Sequence, residues 1–97
     1  AFCKIPHVGW NVLLPPGETA DFSSPLLAGI KSGSQVYFVH SYGGYPANPV
    51  DIKANTLYCK SLIPAVVEKE NVFGVQFHPE KSGNIGINIL KNFLSLL

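Results

Sequence analysis

Methionine is absent from these 97 residues, and so is any long apolar run. A helix needs roughly 20 apolar residues to cross a bilayer, so we expect no membrane-spanning segment and no membrane partner. The N-terminus also lacks the charged-then-apolar pattern of a secretory signal. The sequence therefore predicts a soluble, cytoplasmic protein.

Charged residues are scarce and mixed in sign. Seven Lys and Arg against six Asp and Glu give a formal net charge of +1, and the basic residues are scattered along the chain. Because a nucleic-acid partner requires a basic patch or stripe, we expect none here. The 46% hydrophobic content is enough for one modest core, which predicts a single domain or a piece of one.

The two cysteines, Cys3 and Cys59, lie far apart in sequence and have no metal-type spacing beside them. In a cytoplasmic protein this pattern predicts two reduced, structural cysteines and no disulfide. One alternative stays open, because sequence distance does not fix folded distance: Cys3 could approach His78 and form an unrelated Cys-His dyad. A metal site built from His7, His40, His78 and a cysteine is disfavoured, because no pair has helical or knuckle spacing.

Short β-branched and aromatic segments predict a sheet. Strands are expected at 35–40, 56–59, 65–68 and 72–77. Their close spacing along the chain predicts antiparallel pairs. Residues 15–25 are rich in Pro, Gly and Ser and predict a surface loop, after which Pro25 opens a short helix.

The C-terminal residues show helical periodicity. One helix face, at spacings of three and four residues, collects Gly86, Ile89, Leu90, Phe93, Leu94 and Leu97. Ser82 stands where an N-cap is expected, with its hydroxyl accepting a hydrogen bond from a free amide of the first turn. Strands followed by this amphipathic helix predict an α/β fold.

The segment most informative about chemistry lies between the last strand and this helix. In extended backbone, residues two apart point the same way, and Pro79 favours an extended His78, so His78 and Glu80 are predicted to face one site. A carboxylate bonded to one imidazole nitrogen leaves the other to move a proton, as in a catalytic triad. Taken alone, however, a His-Pro-Glu tripeptide is more typical of an ordinary loop.

The wider context favours catalysis. Residues 75–82 (VQFHPEKS) resemble the C-terminal signature of class I, triad-type glutamine amidotransferases, in which a Phe-His-Pro-Glu run supplies the catalytic His and Glu. Residues 5–11 (IPHVGWN) and 37–42 (YFVHSY) resemble two segments of the amidotransferase subunits of imidazole glycerol phosphate synthase, in the same order. The resemblance extends from Ile5 to Phe93.

This resemblance implies the C-terminal part of a three-layer α/β amidotransferase domain, with a mixed sheet and flanking helices. It implies an enzyme that hydrolyses glutamine and passes ammonia to a (β/α)8-barrel cyclase in histidine biosynthesis, without a cofactor. By motif position, the catalytic base would be His78 and its orienting carboxylate Glu80. The glutamine pocket would include His40, Ser41 and Tyr42, and the cyclase interface would include Trp10, Tyr37 and Lys81.

One element of the family is not found. Its nucleophilic cysteine lies in a Gly-x-Cys-x-Gly turn, whereas Cys3 and Cys59 have no flanking glycines. We therefore expect residues 1–97 to be the C-terminal portion of one domain, the nucleophile-bearing N-terminal portion to lie upstream, and this chain alone to have little glutaminase activity. The alternative is a catalytically inactive module that binds a barrel-type synthase. A Gly-x-Cys-x-Gly element upstream would decide between the two.

Overall fold

The computed structural model describes residues 7–17, 21–40 and 43–97. Its strands are β1 (His7–Val12), β2 (Gln35–His40), β3 (Ile52–Tyr58), β4 (Ser61–Lys69) and β5 (Val72–Val75). One α-helix, α1, spans Gly83–Ser95, and three single-turn 3-10 helices span Pro25–Leu27, Pro49–Asp51 and Pro79–Lys81. No helix in these ranges is both long and apolar enough to cross a membrane.

The strands form two antiparallel sheets. In the first, β1 pairs with β2, with His7 opposite His40 and Trp10 opposite Tyr37. The second has the order β3-β4-β5. The predicted α/β class and the predicted antiparallel pairing are confirmed. The two sheets are linked where the backbones of Leu14 and Asn55 exchange hydrogen bonds of 2.7 and 2.8 Å.

The hairpin between β3 and β4 is longer than the sequence indicated. Cys59 and Lys60 both have positive φ, 57° and 61°, and form the two-residue turn that suits the twist of paired strands. The ladder therefore continues to Tyr58 on one side and Ser61 on the other. The prediction that Cys59 belongs to a strand is wrong, because it lies in the turn.

The last strand is shorter than the predicted 72–77, because the chain changes its hydrogen-bonding partner there. The amide of Gln76 still donates to Ala65 of β4, at 2.9 Å, but the amide of His78 donates to the carbonyl of Tyr37 in β2, also at 2.9 Å. The segment after β5 thus passes from one sheet to the other. This exchange brings His78 beside β2.

A single apolar cluster lies between the sheets and α1. Its members are Leu13, Leu26, Leu27, Ile30, Val36, Phe38, Ala54, Ala65, Val66, Phe77 and Ile89. The rings of Phe38 and Phe77 meet edge to face, with centroids 5.9 Å apart. This cluster supplies the modest core that the composition indicated.

The predicted C-terminal helix is confirmed, although its apolar face is only partly covered by the described residues. Ile89 is buried, and the Asn92 amide group donates to two carbonyls of the 25–28 segment, each at 2.9 Å. In contrast, Leu90, Leu94 and Leu97 are 43%, 65% and 86% exposed. The helix therefore contacts this core mainly through its first half.

Ser82 occupies the predicted N-cap position of α1, but the predicted capping role of its hydroxyl is wrong. Ser82 precedes α1, but its side chain makes no capping hydrogen bond. Its hydroxyl instead donates to the carbonyl of His78 at 2.6 Å and accepts from the amide of Tyr37 at 2.9 Å. The side chain is thus turned away from the helix amides and toward β2.

Candidate active site

The His-Pro-Glu segment forms a tight turn at the junction of β5 and α1. His78 is extended, with φ −100° and ψ 100°, as Pro79 requires of the residue before it. The sequence predicted that the chain stays extended through Glu80. Instead, the chain enters the 3-10 helix Pro79–Lys81 after His78. Proline is compatible with the first helical position, because its φ is preset and its missing amide is not needed there.

Even so, the turn brings the two candidate catalytic side chains together. Nδ1 of His78 lies 3.4 Å from Oε2 of Glu80. The two side chains are 40% and 60% exposed. At this distance the carboxylate orients the ring only loosely, since hydrogen bonds of this type are shorter when fully formed. With Nδ1 directed at Glu80, Nε2 is the ring nitrogen placed for proton transfer.

Two of the three residues suggested for a partner interface, Trp10 and Tyr37, lie on the outer face of the first sheet. Trp10 is 54% exposed and meets Tyr37 edge to face, with centroids 5.7 Å apart. Val8 and Val39, which pair with each other across the same two strands, are also exposed. Lys81 is exposed in the 3-10 turn, directly before Ser82, whose hydroxyl bonds Tyr37. The fold therefore groups Trp10, Tyr37 and Lys81 around the turn that carries His78.

His40, suggested for the glutamine pocket, ends β2 beside a second imidazole. Its Nε2 lies 2.9 Å from Nδ1 of His7, which is buried and stacked between the rings of Phe38 and Tyr58, at 4.8 and 3.9 Å. Burial, with a smaller contribution from His40, lowers the pKa of His7 below its ordinary value of 6.5. His7 is therefore held neutral near pH 7, where it can both donate and accept.

Three of the residues discussed from the sequence, Cys3, Ser41 and Tyr42, lie outside the described residues. Cys59 is disulfide-bonded, so the prediction of a reduced Cys59 thiol is wrong. A sulfur in a disulfide is not a thiolate and cannot attack an amide while the bond is intact. Within 7–17, 21–40 and 43–97, no three His, Cys, Asp or Glu side chains are grouped as a metal site would need.

Sequence reasoning missed two supporting residues of this site. The sequence predicted a capping hydroxyl at Ser82, and it pointed to His7 only within a motif and in a disfavoured metal site. Both residues form hydrogen bonds with partners that are distant in sequence. Ser82 accepts from the Tyr37 amide, 45 residues away, and His7 bonds to His40, 33 residues away. No local spacing signals contacts at such separations, although the hairpin register aligns His7 with His40 once β1 and β2 are paired.

Comparison with known proteins identifies the family of the chain. The family model described as "Glutamine amidotransferase class-I" matches residues 3–96. The chain therefore belongs to the class I glutamine amidotransferase family. Within that family it is similar to proteins named imidazole glycerol phosphate synthase subunit HisH, from several bacteria.

Three such relatives illustrate the similarity. "HisH 1" of Legionella pneumophila (strain Lens) is 47% identical over 93 residues, which are 96% of this chain and 44% of the relative. The HisH of Caldanaerobacter subterraneus subsp. tengcongensis is 52% identical over 90 residues, 93% of this chain and 41% of the relative. That of Bacillus cereus (strain ATCC 10987 / NRS 248) is 49% identical over 90 residues, 93% of this chain and 40% of the relative. The chain thus spans less than half the length of these relatives.

Proposed function

We propose that these residues form the His- and Glu-bearing part of a glutamine amidotransferase that supplies ammonia to a cyclase making imidazole glycerol phosphate. The observation that carries the proposal is the His78–Glu80 pair, with 3.4 Å between Nδ1 and Oε2, in a turn held against β2. Family membership and the HisH names of the relatives supply the reaction class.

In the proposed reaction, a cysteine thiolate attacks the side-chain amide carbon of glutamine. His78 takes the thiol proton and returns a proton to the leaving nitrogen, so ammonia departs and a thioester of glutamate remains. Water, activated by His78, then hydrolyses the thioester to glutamate. Glu80 fixes the ring tautomer and stabilises the imidazolium that forms in each half-reaction. In this proposal the nucleophile comes from outside residues 1–97. This is supported by the sequence around Cys3 and Cys59, neither of which has the flanking glycines of a nucleophile elbow.

The partner in this proposal is the cyclase, expected to be a (β/α)8 barrel. It would contact the outer face of the first sheet through Trp10 and Tyr37, with Lys81 at the rim. Exposed Trp10, paired with half-buried Tyr37 and flanked by exposed valines, is suited to burial in an interface. The end of β2, with His40, Ser41 and Tyr42, would contribute to glutamine binding. No cofactor takes part.

The test uses the complete natural polypeptide that contains this chain, mixed with its cyclase subunit. Glutamate and ammonia production are measured for wild type, His78→Ala and Glu80→Gln. Removal of the base is expected to lower kcat by roughly 10²- to 10⁴-fold. Loss of the orienting carboxylate is expected to lower kcat by roughly 10²-fold or more, because the ring is no longer held in one tautomer.

Glu70→Gln is the matched control, because Glu70 is an exposed glutamate in the turn between β4 and β5. It should retain wild-type kcat. If His78→Ala retained full activity, the triad assignment would be wrong. If the wild-type protein bound the cyclase but released no ammonia, the inactive binding module would be the better account.

A further inference from the structure

The hydroxyl of Ser82 links the His78 turn to β2, in a closed cycle of three hydrogen bonds among Ser82, His78 and Tyr37. It donates to the carbonyl of His78 at 2.6 Å and accepts from the amide of Tyr37 at 2.9 Å. The amide of His78 in turn donates to the carbonyl of Tyr37 at 2.9 Å. Both backbone polar groups of Tyr37 are therefore bonded to the turn. The same contacts engage both backbone polar groups of His78.

Packing fixes Ser82 itself. Its side chain is only 1% exposed, and the first turn of α1 lies directly over it. At Gly86 an added Cβ would be 2.9 Å from the Ser82 Cβ and 1.9 Å from the carbonyl oxygen of Pro79. The helix thus packs directly against the 79–82 turn, and no side chain larger than hydrogen fits at residue 86. Ser82 has little freedom to choose other hydrogen-bond partners.

In contrast, the two candidate catalytic side chains are held by little else. His78 and Glu80 are 40% and 60% exposed, and their mutual contact is long at 3.4 Å. Side-chain packing among the described residues therefore does not determine where the imidazole lies. Its position follows chiefly from the backbone of residue 78. The Ser82 hydroxyl helps to hold this backbone, together with the Lys81 amide, which also donates to the His78 carbonyl, at 3.0 Å. Displacing a catalytic group by about 1 Å can cost on the order of 10²-fold in rate.

We propose that Ser82 is a positioning residue for the reaction, whose hydroxyl holds the backbone of His78 in register with β2. It acts through His78 and does not touch the substrate. This inference rests on the proposed function, since it assumes that His78 moves the protons. It adds a residue whose contribution is to the rate of the chemical step and not to glutamine binding.

The experiment compares Ser82→Ala with wild type in the complete natural polypeptide bound to its cyclase. The variant is expected to lower kcat by roughly 10- to 100-fold, with KM for glutamine changed by no more than about threefold, because only the placement of the base is altered. Circular dichroism and cyclase affinity are expected to match wild type. A kcat within about twofold of wild type would overturn the proposal, as would an equal loss through KM alone.

Ser34→Ala is the matched control. The Ser34 hydroxyl also donates to a nearby carbonyl, that of Lys31 three residues earlier, at 2.6 Å, but it does not contact the His78 turn. This variant should keep kcat within about twofold of wild type, since the same kind of bond is lost elsewhere. If it lowered kcat as much as Ser82→Ala, the effect would be general destabilisation and the proposal would be wrong.

A second variant covers the case in which Ser82→Ala does not fold. Ser82→Cys keeps a side chain of similar volume but offers only a weak donor and acceptor, so a folded protein with reduced kcat is expected. If this variant also failed to fold, the hydroxyl would be needed for folding and not for placing His78, which overturns the proposal. His78→Ala separates the two hypotheses: its full activity would refute the proposed function, whereas its inactivity beside an active Ser82→Ala would refute only the role of Ser82.

Discussion

At the scale of single residues, His7 is a closely packed titratable group. Aromatic rings cover both faces of its imidazole, and each ring nitrogen has a neighbour: His40 at 2.9 Å from Nδ1 and the Asn11 amide nitrogen at 3.4 Å from Nε2. Asn11 also donates to the carbonyl of Leu57 at 2.9 Å, in β3. Asn11 therefore connects the first sheet to the β3–β4 hairpin through a hydrogen bond, and His7 contacts the same hairpin by stacking on Tyr58.

The lowered pKa of His7 predicts a pH dependence of stability. Because burial, with help from His40, depresses the pKa below 6.5, the unfolded chain binds more protons than the folded one at and below that pH. The contribution of neutral His7 to the free energy of unfolding is fully present above about pH 6.5. It is lost as the pH falls below that value. We expect the free energy of unfolding of the complete polypeptide, measured in urea, to fall between about pH 7.5 and about pH 5.5.

His7→Phe is the comparison for this prediction. Phenylalanine keeps a ring between Phe38 and Tyr58 but cannot titrate, so the variant should lose less stability over the same pH interval, even if it is less stable throughout. Equal slopes for the two proteins would show that other groups account for the pH dependence.

The candidate site illustrates which residues a sequence can reveal. The proximity of His78 and Glu80 was predictable, because the two residues are only two positions apart in sequence. Their catalytic role stays a prediction. The extended backbone expected to bring them together is not found, since the chain turns into a 3-10 helix at Pro79. Ser82 was misassigned because a serine before a helix is normally a cap, and nothing local indicates that Tyr37, 45 residues earlier, supplies a competing donor.

At the scale of elements, the contact between α1 and the 79–81 turn depends on a glycine. Gly86 lies in the helix, where replacement by alanine would ordinarily stabilise by up to about 1 kcal/mol. Here an added Cβ would meet the Pro79 carbonyl oxygen at 1.9 Å, and that oxygen is backbone. Overpacking of this kind typically costs about 1–3 kcal/mol, which outweighs the gain in helix propensity.

We therefore predict that Gly86→Ala lowers the free energy of unfolding by about 1–2 kcal/mol net. Gly44→Ala is the control, because a Cβ added at Gly44 would have no heavy atom within 4 Å and the φ of Gly44 is not in the left-handed region. It should change stability by less than about 0.5 kcal/mol. Urea unfolding of the complete polypeptide measures the free energy of unfolding of both variants. If Gly86→Ala were more stable than wild type, the 79–82 turn would be able to move away from the added methyl group, and the prediction would be wrong.

Element boundaries were harder to predict than element types. Periodicity correctly indicated α1, and β-branched residues correctly indicated β2. The predicted end of β5 was too late, because Phe77 is apolar like the strand residues before it. Between Gln76 and His78, however, the backbone changes its hydrogen-bonding partner from β4 to β2. This change of partner depends on contacts with strands that are distant in sequence. The local composition of six residues therefore cannot predict it.

At the scale of the whole molecule, exposed apolar side chains occur on both sheets and on α1. One group lies on the outer face of the first sheet and includes Trp10 and Val8. Another lies on the second half of α1 and just beyond its end, and includes Leu94 and Leu97. Faces of this kind on a folded chain commonly mark contacts with other protein surface. The relatives are more than twice as long as the matched region, so most of a comparable protein lies outside it.

The first of these faces gives a prediction about the cyclase. Trp10→Ala in the complete polypeptide should weaken cyclase binding by about 2 kcal/mol, or roughly 30-fold in Kd, because a buried interface tryptophan commonly contributes this much. Titration calorimetry measures the affinity. Tyr45→Ala is the control, since Tyr45 is 66% exposed and is not part of the β1–β2 pair. An unchanged Kd for Trp10→Ala would place the interface elsewhere.

The alternation of β2 has a consequence for how this protein can change over evolutionary time. Val36 and Phe38 face the core, while Tyr37 and Val39 between them point to the outer face. Substitutions that respect this alternation leave each surface intact. A single inserted or deleted residue within β2 would exchange the two faces beyond that point, burying what was outside and exposing what was inside. The length of this strand is therefore under tighter constraint than the identity of any one of its side chains.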